Sequence, residues 1–256
     1  VEMALMDLAG KAYGVPSYML AGGKYRDRIK VYADTPSEQE PKKMAARMQT
    51  RIDKGYQFLK MDVGINLLRG IEGTLIQDPA VAVNPNLMHP FTATQITQKG
   101  IEHLTEYARV IREQLGSTIP IAIDHFGHIG LDSCIRLGRA LDRFTFAWYE
   151  DMLPWQFPKQ MKAIKDAVET PVCTGEDIYL RQEFKTLLDE DCVSYVHPDL
   201  ATSGGILETK RIGDLAQEYG VPMVLHQAGS PIVAMANVHC AAATENFVAL
   251  EMHSVD

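Results

Sequence analysis

The sequence predicts an α/β fold, a (β/α)8 barrel of the TIM type filling residues 1–256 as one domain, and three observations carry that prediction. Short apolar, β-prone runs alternate with stretches of helical periodicity. Six of the runs close on a polar residue, namely Asp124, Glu150, Glu176, Asp199, His226 and Glu251. They follow one another in steps of about 25 residues, the length of one strand, one helix and two loops. A chain of 256 residues is also the size of one such barrel. Barrels of this kind carry their chemistry on the rim at the strand C-termini, so position alone makes the six residues functional candidates.

Taken in order, the chain opens on a helical pattern of Val1, Ala4, Leu5, Leu8 and Ala12 with no cap before it and no initiating Met. It reads as a piece of a longer protein, with residues 1–28 a lead-in helix and linker broken by Gly14, Pro16, Gly22 and Gly23. The first strand is read at 29–33, a helix at 41–54, and the second strand at 58–63, ended by Gly64. Residues 64–92, rich in Gly, Pro and Asn, are too long for an ordinary βα loop and read as a lid or insertion covering a substrate. A long helix at 94–115 spaces Ile101, Leu104, Ala108, Ile111 and Leu115 along one face. The third to eighth strands follow at 120–124, 144–150, 171–174, 193–196, 222–226 and 247–251. Between them lie helices at 131–141, 160–168, 206–219 and 232–243.

Composition narrows the function. A formal charge of -8 without any Lys/Arg block disfavours nucleic acid or an anionic membrane as the partner. No apolar run reaches the roughly 18 residues of a membrane span, and no signal peptide is read before Val1. Cys134, Cys173, Cys192 and Cys240 lack Cys-x-x-Cys spacing, which points to reduced thiols and a cytoplasmic location rather than a zinc site or disulfides.

The strand-end residues sort by chemistry. Asp124, Glu150 and Glu176 end the third, fourth and fifth strands, and three converging carboxylates repel unless a cation neutralises them. All-oxygen ligation suits Mg²⁺ best, with Mn²⁺ close behind. A single strand-end acid can equally cap a helix or face solvent; three at adjacent strand ends favour the metal. Asp199 and His226 end the sixth and seventh strands, where a carboxylate beside an imidazole fixes its tautomer and raises its basicity, as a general base requires. Glu251 either hydrogen-bonds a ligand oxygen as an acid or holds a neighbouring side chain. Lys60 and Asp62 lie two apart on the second strand and both point inward, Asp62 nearer the rim. The anion that Lys60 needs is either a substrate carboxylate or Asp62. His125 and His128 flank Phe126 and Gly127 beside Asp124, as acids, substrate contacts or plain loop.

Further motifs accompany these strands: 4–11 with the sequence Ala-Leu-Met-Asp-Leu-Ala-Gly-Lys, Gly14-Val15-Pro16, Leu20-Ala21-Gly22-Gly23, and Pro198-Asp199 followed by Gly204-Gly205-Ile206. Over nearly the whole chain the set resembles the enolase superfamily, within it the mandelate racemase and muconate lactonising group. The resemblance implies Mg²⁺ on Asp124, Glu150 and Glu176, and an acid/base dyad of Asp199 and His226. It implies removal of the proton α to a carboxylate of a small molecule, a homo-oligomeric assembly, and an N-terminal α+β capping domain that these residues do not include. Two departures stand out. Many relatives carry Lys-x-Lys on the second strand, where this chain has Asp62, which disfavours a racemase using two bases. Several sugar-acid dehydratases carry Asp-x-His on the third strand, where this chain has Phe126, so the acid falls to His125, His128 or a recycled His226.

The expectation is a Mg²⁺-dependent carbon–oxygen lyase, a dehydratase of sugar acids, with Lys60, Asp62, His125, Asp199, His226 and Glu251 in the catalytic machinery and Lys60, His128 and Glu251 on the substrate. A cycloisomerase, epimerase or racemase sharing the enolisation is the alternative. From other classes come a metal-free glycosidase using a pair such as Glu150 and Glu251, and an inactive binding relative.

Overall fold

The structure is a computed structural model and describes residues 1–83, 94–127 and 129–253. In chain order the elements are α1 (Glu2–Tyr13), α2 (Ser17–Leu20), β1 (Val31–Thr35), α3 (Pro41–Asp53), β2 (Leu59–Asp62), β3 (Leu75–Gln77), α4 (Pro79–Val83), β4 (Thr94–Ile96) and α5 (Gln98–Leu115). They continue with β5 (Ile121–Asp124), α6 (Leu131–Leu141), β6 (Tyr149–Glu150), α7 (Pro158–Ala167), β7 (Val172–Thr174) and α8 (Leu180–Asp189). The last are β8 (Tyr195–Val196), α9 (Leu200–Ser203), α10 (Ile206–Glu218), β9 (Met223–Leu225), α11 (Pro231–Ala243) and β10 (Phe247–Met252). The strand order β1-β10-β9-β8-β7-β6-β5-β2 is that of a closed barrel, as the β/α spacing predicts.

The chain divides into two compact units, residues 35–172 and residues 1–34 with 173–256. In the first, β2 and β5 pair in parallel from Leu59↔Ile121 to Asp62↔Asp124, and β5 continues onto β6 through Ile123↔Tyr149. Leu59, Met61, Ile121 and Ile123 are fully buried, each stabilising the sheet by roughly 1.5–3 kcal/mol through removal from water. α5 buries Ile101, Leu104, Ala108, Ile111 and Leu115, the stripe its 3.6-residue period predicts.

Two segments of this unit differ from the sequence expectation. The predicted helix at 94–115 starts only at Gln98, because Thr97 caps it by accepting from the Gly100 N–H, and Thr94–Ile96 forms a strand antiparallel to Leu75–Gln77. The segment after β2 thus contains a two-stranded sheet, a 3₁₀ turn at Ile65–Leu68 and the short α4 instead of a plain loop. Its residues 84–92 lie outside the described residues. The predicted strand at 144–150 shrinks to Tyr149–Glu150, since Asp142–Phe144 is a 3₁₀ turn and Thr145 takes a left-handed conformation at φ 54.

In the second unit β7, β8, β9, β10 and β1 pair in succession, all parallel. The lead-in helix α1 is fastened to α10: the Glu2 carboxylate accepts from the Ile206 N–H at 2.8 Å and the Leu207 N–H at 3.0 Å, filling two of the donors a helix N-terminus leaves open. Gly205 permits this approach, with φ 98 and a position where a Cβ would stand 2.1 Å from a Glu2 oxygen.

Candidate active site

In the unit of residues 35–172, strand alternation puts Lys60 and Asp62 on one face of β2, and Trp148 and Glu150 on one face of the chain entering β6. The buried Lys60 ammonium lies 3.0 Å from Asp124 Oδ2 and 2.9 Å from Glu150 Oε1. It therefore bridges two expected metal ligands. The second oxygen of the fully buried Glu150 accepts from the Trp148 indole N–H at 2.8 Å. Asp151, in a left-handed conformation at φ 45, brings a carboxylate oxygen within 4.8 Å of the Glu150 ligand oxygen. Asp62 accepts from Ser37 Oγ at 2.7 Å. Burial pushes the Asp62 carboxyl above its ordinary value, and the charge of Asp124 adds to that, against the opposing pull of Ser37, His125 and Lys60.

The turn after β5 treats its candidates differently. His125 is exposed; its backbone N–H donates to Asp124 Oδ1 at 2.7 Å, and its Nδ1 accepts from the Gly127 N–H at 3.1 Å, which leaves Nε2 as the donor edge of the neutral ring. Phe126 is buried with its ring 5.3 Å from that of Tyr149, whose hydroxyl donates to Gly138 O on α6. The position that holds Phe126 thus faces the helix layer. His128 lies outside the described residues. Gly64, directly after the second-strand segment, packs so close to this turn that a Cβ would meet Phe126 O at 2.7 Å.

In the other unit, Asp199 follows β8 and His226 follows β9, and the two form an isolated parallel bridge. His226 Nδ1 lies 2.8 Å from Asp199 Oδ2 and its Nε2 3.0 Å from Glu176 Oε2. Asp199 Oδ1 meanwhile caps α9, accepting from Ala201 N–H at 2.7 Å and Thr202 N–H at 3.2 Å. Burial pushes the Asp199 carboxyl up, but the bond and charge of His226 and the two backbone N–H groups outweigh it, so the group sits below the ordinary carboxylate range. Glu251 on β10 is buried and 3.8 Å from His226 Nε2. It accepts from the Tyr32 hydroxyl at 3.2 Å and the Gln227 N–H at 3.4 Å, while the same Tyr32 hydroxyl lies 2.9 Å from Nε2 of the buried His197.

Each unit thus brings its own candidates together: Lys60, Asp124 and Glu150 in one, Glu176, Asp199, His226 and Glu251 in the other. Sequence reasoning missed Trp148, Tyr32 and His197. Trp148 was open to the two-residue alternation from Glu150, whereas the bond of Tyr32 to His197 joins residues far apart in sequence and depends on the order of the strands. The donor set fits a hard divalent cation, because Asp124 and Glu150 already gather a positive charge, the Lys60 ammonium, on one oxygen each. The cysteines take no part in such a set: all four are buried and none is in a disulfide, and burial pushes the Cys134 and Cys240 thiols up to about 12.

The signature of the Enolase C-terminal domain-like family matches residues 43–256. The chain belongs to this family. Among its relatives, the D-xylonate dehydratase of Haloferax volcanii is 35% identical over 258 residues, covering 99% of this chain and 58% of that protein. The D-gluconate/D-galactonate dehydratase of Picrophilus torridus is 28% identical over 254 residues, covering 98% of this chain and 58% of that protein. The crystal structure of a mandelate racemase/muconate lactonizing enzyme-like protein from Rubrobacter xylanophilus superposes with a TM-score of 0.85 at 31% identity, covering 98% of this chain and 64% of that one. The chain is therefore an enolase-superfamily barrel domain similar to sugar-acid dehydratases, and it spans about three fifths of the length of these proteins. Among the described residues no helix is long and apolar enough to cross a membrane.

Proposed function

We propose that the protein carrying this domain is a Mg²⁺-dependent dehydratase of sugar acids, acting on an aldonate such as D-xylonate, D-gluconate or D-galactonate as a homo-oligomer. The observation that carries the reading is the His226 imidazole, gripped at Nδ1 by the Asp199 carboxylate, with Nε2 turned to Glu176, one of the proposed metal ligands. The names of the relatives support the substrate class. Following the family pattern, Asp124, Glu150 and Glu176 are the proposed metal ligands, with Mn²⁺ the nearest substitute. A bound Mg²⁺ supplies fixed positive charge opposite the charge that develops on the substrate carboxylate as its α-proton leaves.

The chain's own residues do the rest. Lys60 offsets the remaining charge of the substrate carboxylate. His226 takes the α-proton at Nε2, and Asp199 holds the ring and stabilises the imidazolium that results. Glu251 hydrogen-bonds a substrate oxygen. A proton from His125, His128 or the recycled His226 goes to the departing 3-hydroxyl, the carbon–oxygen bond breaks, water leaves, and tautomerisation gives a 2-keto-3-deoxy acid. His125 is exposed, with Nε2 the donor edge of its ring, which keeps it among the candidates.

One observation favours the second reading, enolisation without loss of water: Phe126, at the place where dehydratases carry an acid His, is buried against Tyr149. Product mass separates the two, since dehydration removes one water. The test is turnover of the three aldonates by the full-length protein with Mg²⁺, followed by mass and NMR. A 2-keto-3-deoxy product bears the reading out, while an isomeric product of unchanged mass establishes the alternative. Activity that survives EDTA points instead to metal-free hydrolysis, which the ion pair of Glu150 with Lys60 already disfavours.

A further inference from the structure

We propose that Lys60 is the built-in counter-cation of the metal-binding carboxylates and holds down the affinity of the substrate-free site for Mg²⁺. The inference rests on the reading of Asp124 and Glu150 as metal ligands.

Every oxygen of these two carboxylates is already engaged by a donor. Glu150 Oε1 faces the Lys60 ammonium at 2.9 Å and Oε2 the Trp148 indole at 2.8 Å. Asp124 Oδ2 faces the same ammonium at 3.0 Å and Oδ1 the His125 backbone N–H at 2.7 Å. Glu150 is buried without any exposed surface, and its Lys60 partner is buried as well. Two carboxylates turned to one point repel each other unless a cation lies in contact with both, and the Lys60 ammonium is in contact with both. The register of β2 on β5 fixes it there, since Lys60 lies opposite Ala122, a side chain too small to obstruct the reach towards Asp124.

A divalent cation taking the same oxygens must share them with a positive charge already in hydrogen-bond contact, or displace it. Like charges at such separations repel strongly where water is excluded. Lys60 therefore stabilises the metal-free protein and weakens its grip on the metal. By the reciprocity of coupled binding, any anion that draws the ammonium away strengthens that grip, which gives one side chain both a structural and an ordering role.

The experiment measures Mg²⁺ binding itself, by titration calorimetry on the full-length wild type, Lys60→Gln and Lys60→Arg, with no substrate present. Gln keeps an N–H donor and removes the charge, whereas Arg keeps the charge. The expected result is at least tenfold tighter Mg²⁺ binding by Lys60→Gln and no tightening by Lys60→Arg. Equal or weaker binding by Lys60→Gln overturns the inference. If Lys60→Gln does not fold without metal, the wild type decides through the Lys60 ammonium signal in ¹H–¹⁵N spectra. That signal must shift or broaden as Mg²⁺ saturates, and a signal that stays in place overturns the inference. Absence of Mg²⁺ binding in wild type and variants alike overturns the ligand assignment beneath it, an outcome distinct from equal affinities.

Discussion

Replacing Asp199 by Asn separates the catalytic duty proposed for this residue from its structural one. The two carboxylate oxygens divide the work: Oδ1 caps α9 through Ala201 and Thr202, and Oδ2 holds His226 Nδ1. Asn is as good an N-cap as Asp, so its carbonyl oxygen keeps the cap and its amide nitrogen turns to His226. That nitrogen only donates, which makes Nδ1 the acceptor and leaves the proton on Nε2, the atom proposed to take the substrate's α-proton. General-base catalysis is worth about 10²–10⁴ in rate, or roughly 2.7–5.5 kcal/mol of barrier. The Asp199→Asn protein should therefore lose α-proton exchange by about two to four orders of magnitude. Its unfolding free energy at neutral pH should fall by no more than the roughly 1.5–3 kcal/mol of one charge-assisted hydrogen bond. The assay is the rate of C2 deuteration of an aldonate in D₂O, read by NMR, beside urea unfolding of the same sample. Exchange within twofold of wild type would refute the tautomer argument. Asp199 also sets an acid limb. Its carboxyl lies lower folded than its ordinary value of 3.8, so its contribution to stability is present above that value and lost as pH falls through the folded one. The Asn variant should show a shallower loss of stability below about pH 4.

Two further outcomes follow from the geometry. Glu2→Gln removes the charge that meets the N-terminus of α10 and should cost about 1–2 kcal/mol in urea unfolding while leaving Mg²⁺ affinity unchanged. Asp62→Asn should behave in the opposite way to Asp199→Asn. The folded carboxyl of Asp62 lies above 3.8, so the wild type loses stability as pH rises through the folded value; in metal-free protein the variant should melt higher than wild type at neutral pH and equal it below about pH 3.8.

The barrel and its rim were legible because β/α repeats impose an even spacing that a single strand-end residue reveals each time. Asp199 and His226 could be paired from that spacing alone, since neighbouring strands bring their ends together. The antiparallel pairing of Leu75–Gln77 with Thr94–Ile96 could not be read, because strands of three residues carry too little alternation to stand out from a loop. The partner of Lys60 was hidden for another reason. Asp62 is nearer in sequence, but cross-strand register and the reach of a four-carbon side chain deliver the ammonium to Asp124 and Glu150. Phe126 shows the same limit: its number places it two beyond Asp124, yet the strand has ended and the turn sends its ring towards Tyr149.

Whether His226 removes the α-proton of a sugar acid, as proposed, is decided by C2 proton exchange with the full-length protein and Mg²⁺ in D₂O, compared between wild type and His226→Asn. C2 deuteration or dehydration of at least one of D-xylonate, D-gluconate and D-galactonate is expected of wild type, and neither of a folded His226→Asn protein. Undiminished exchange or turnover in that variant would contradict the proposal.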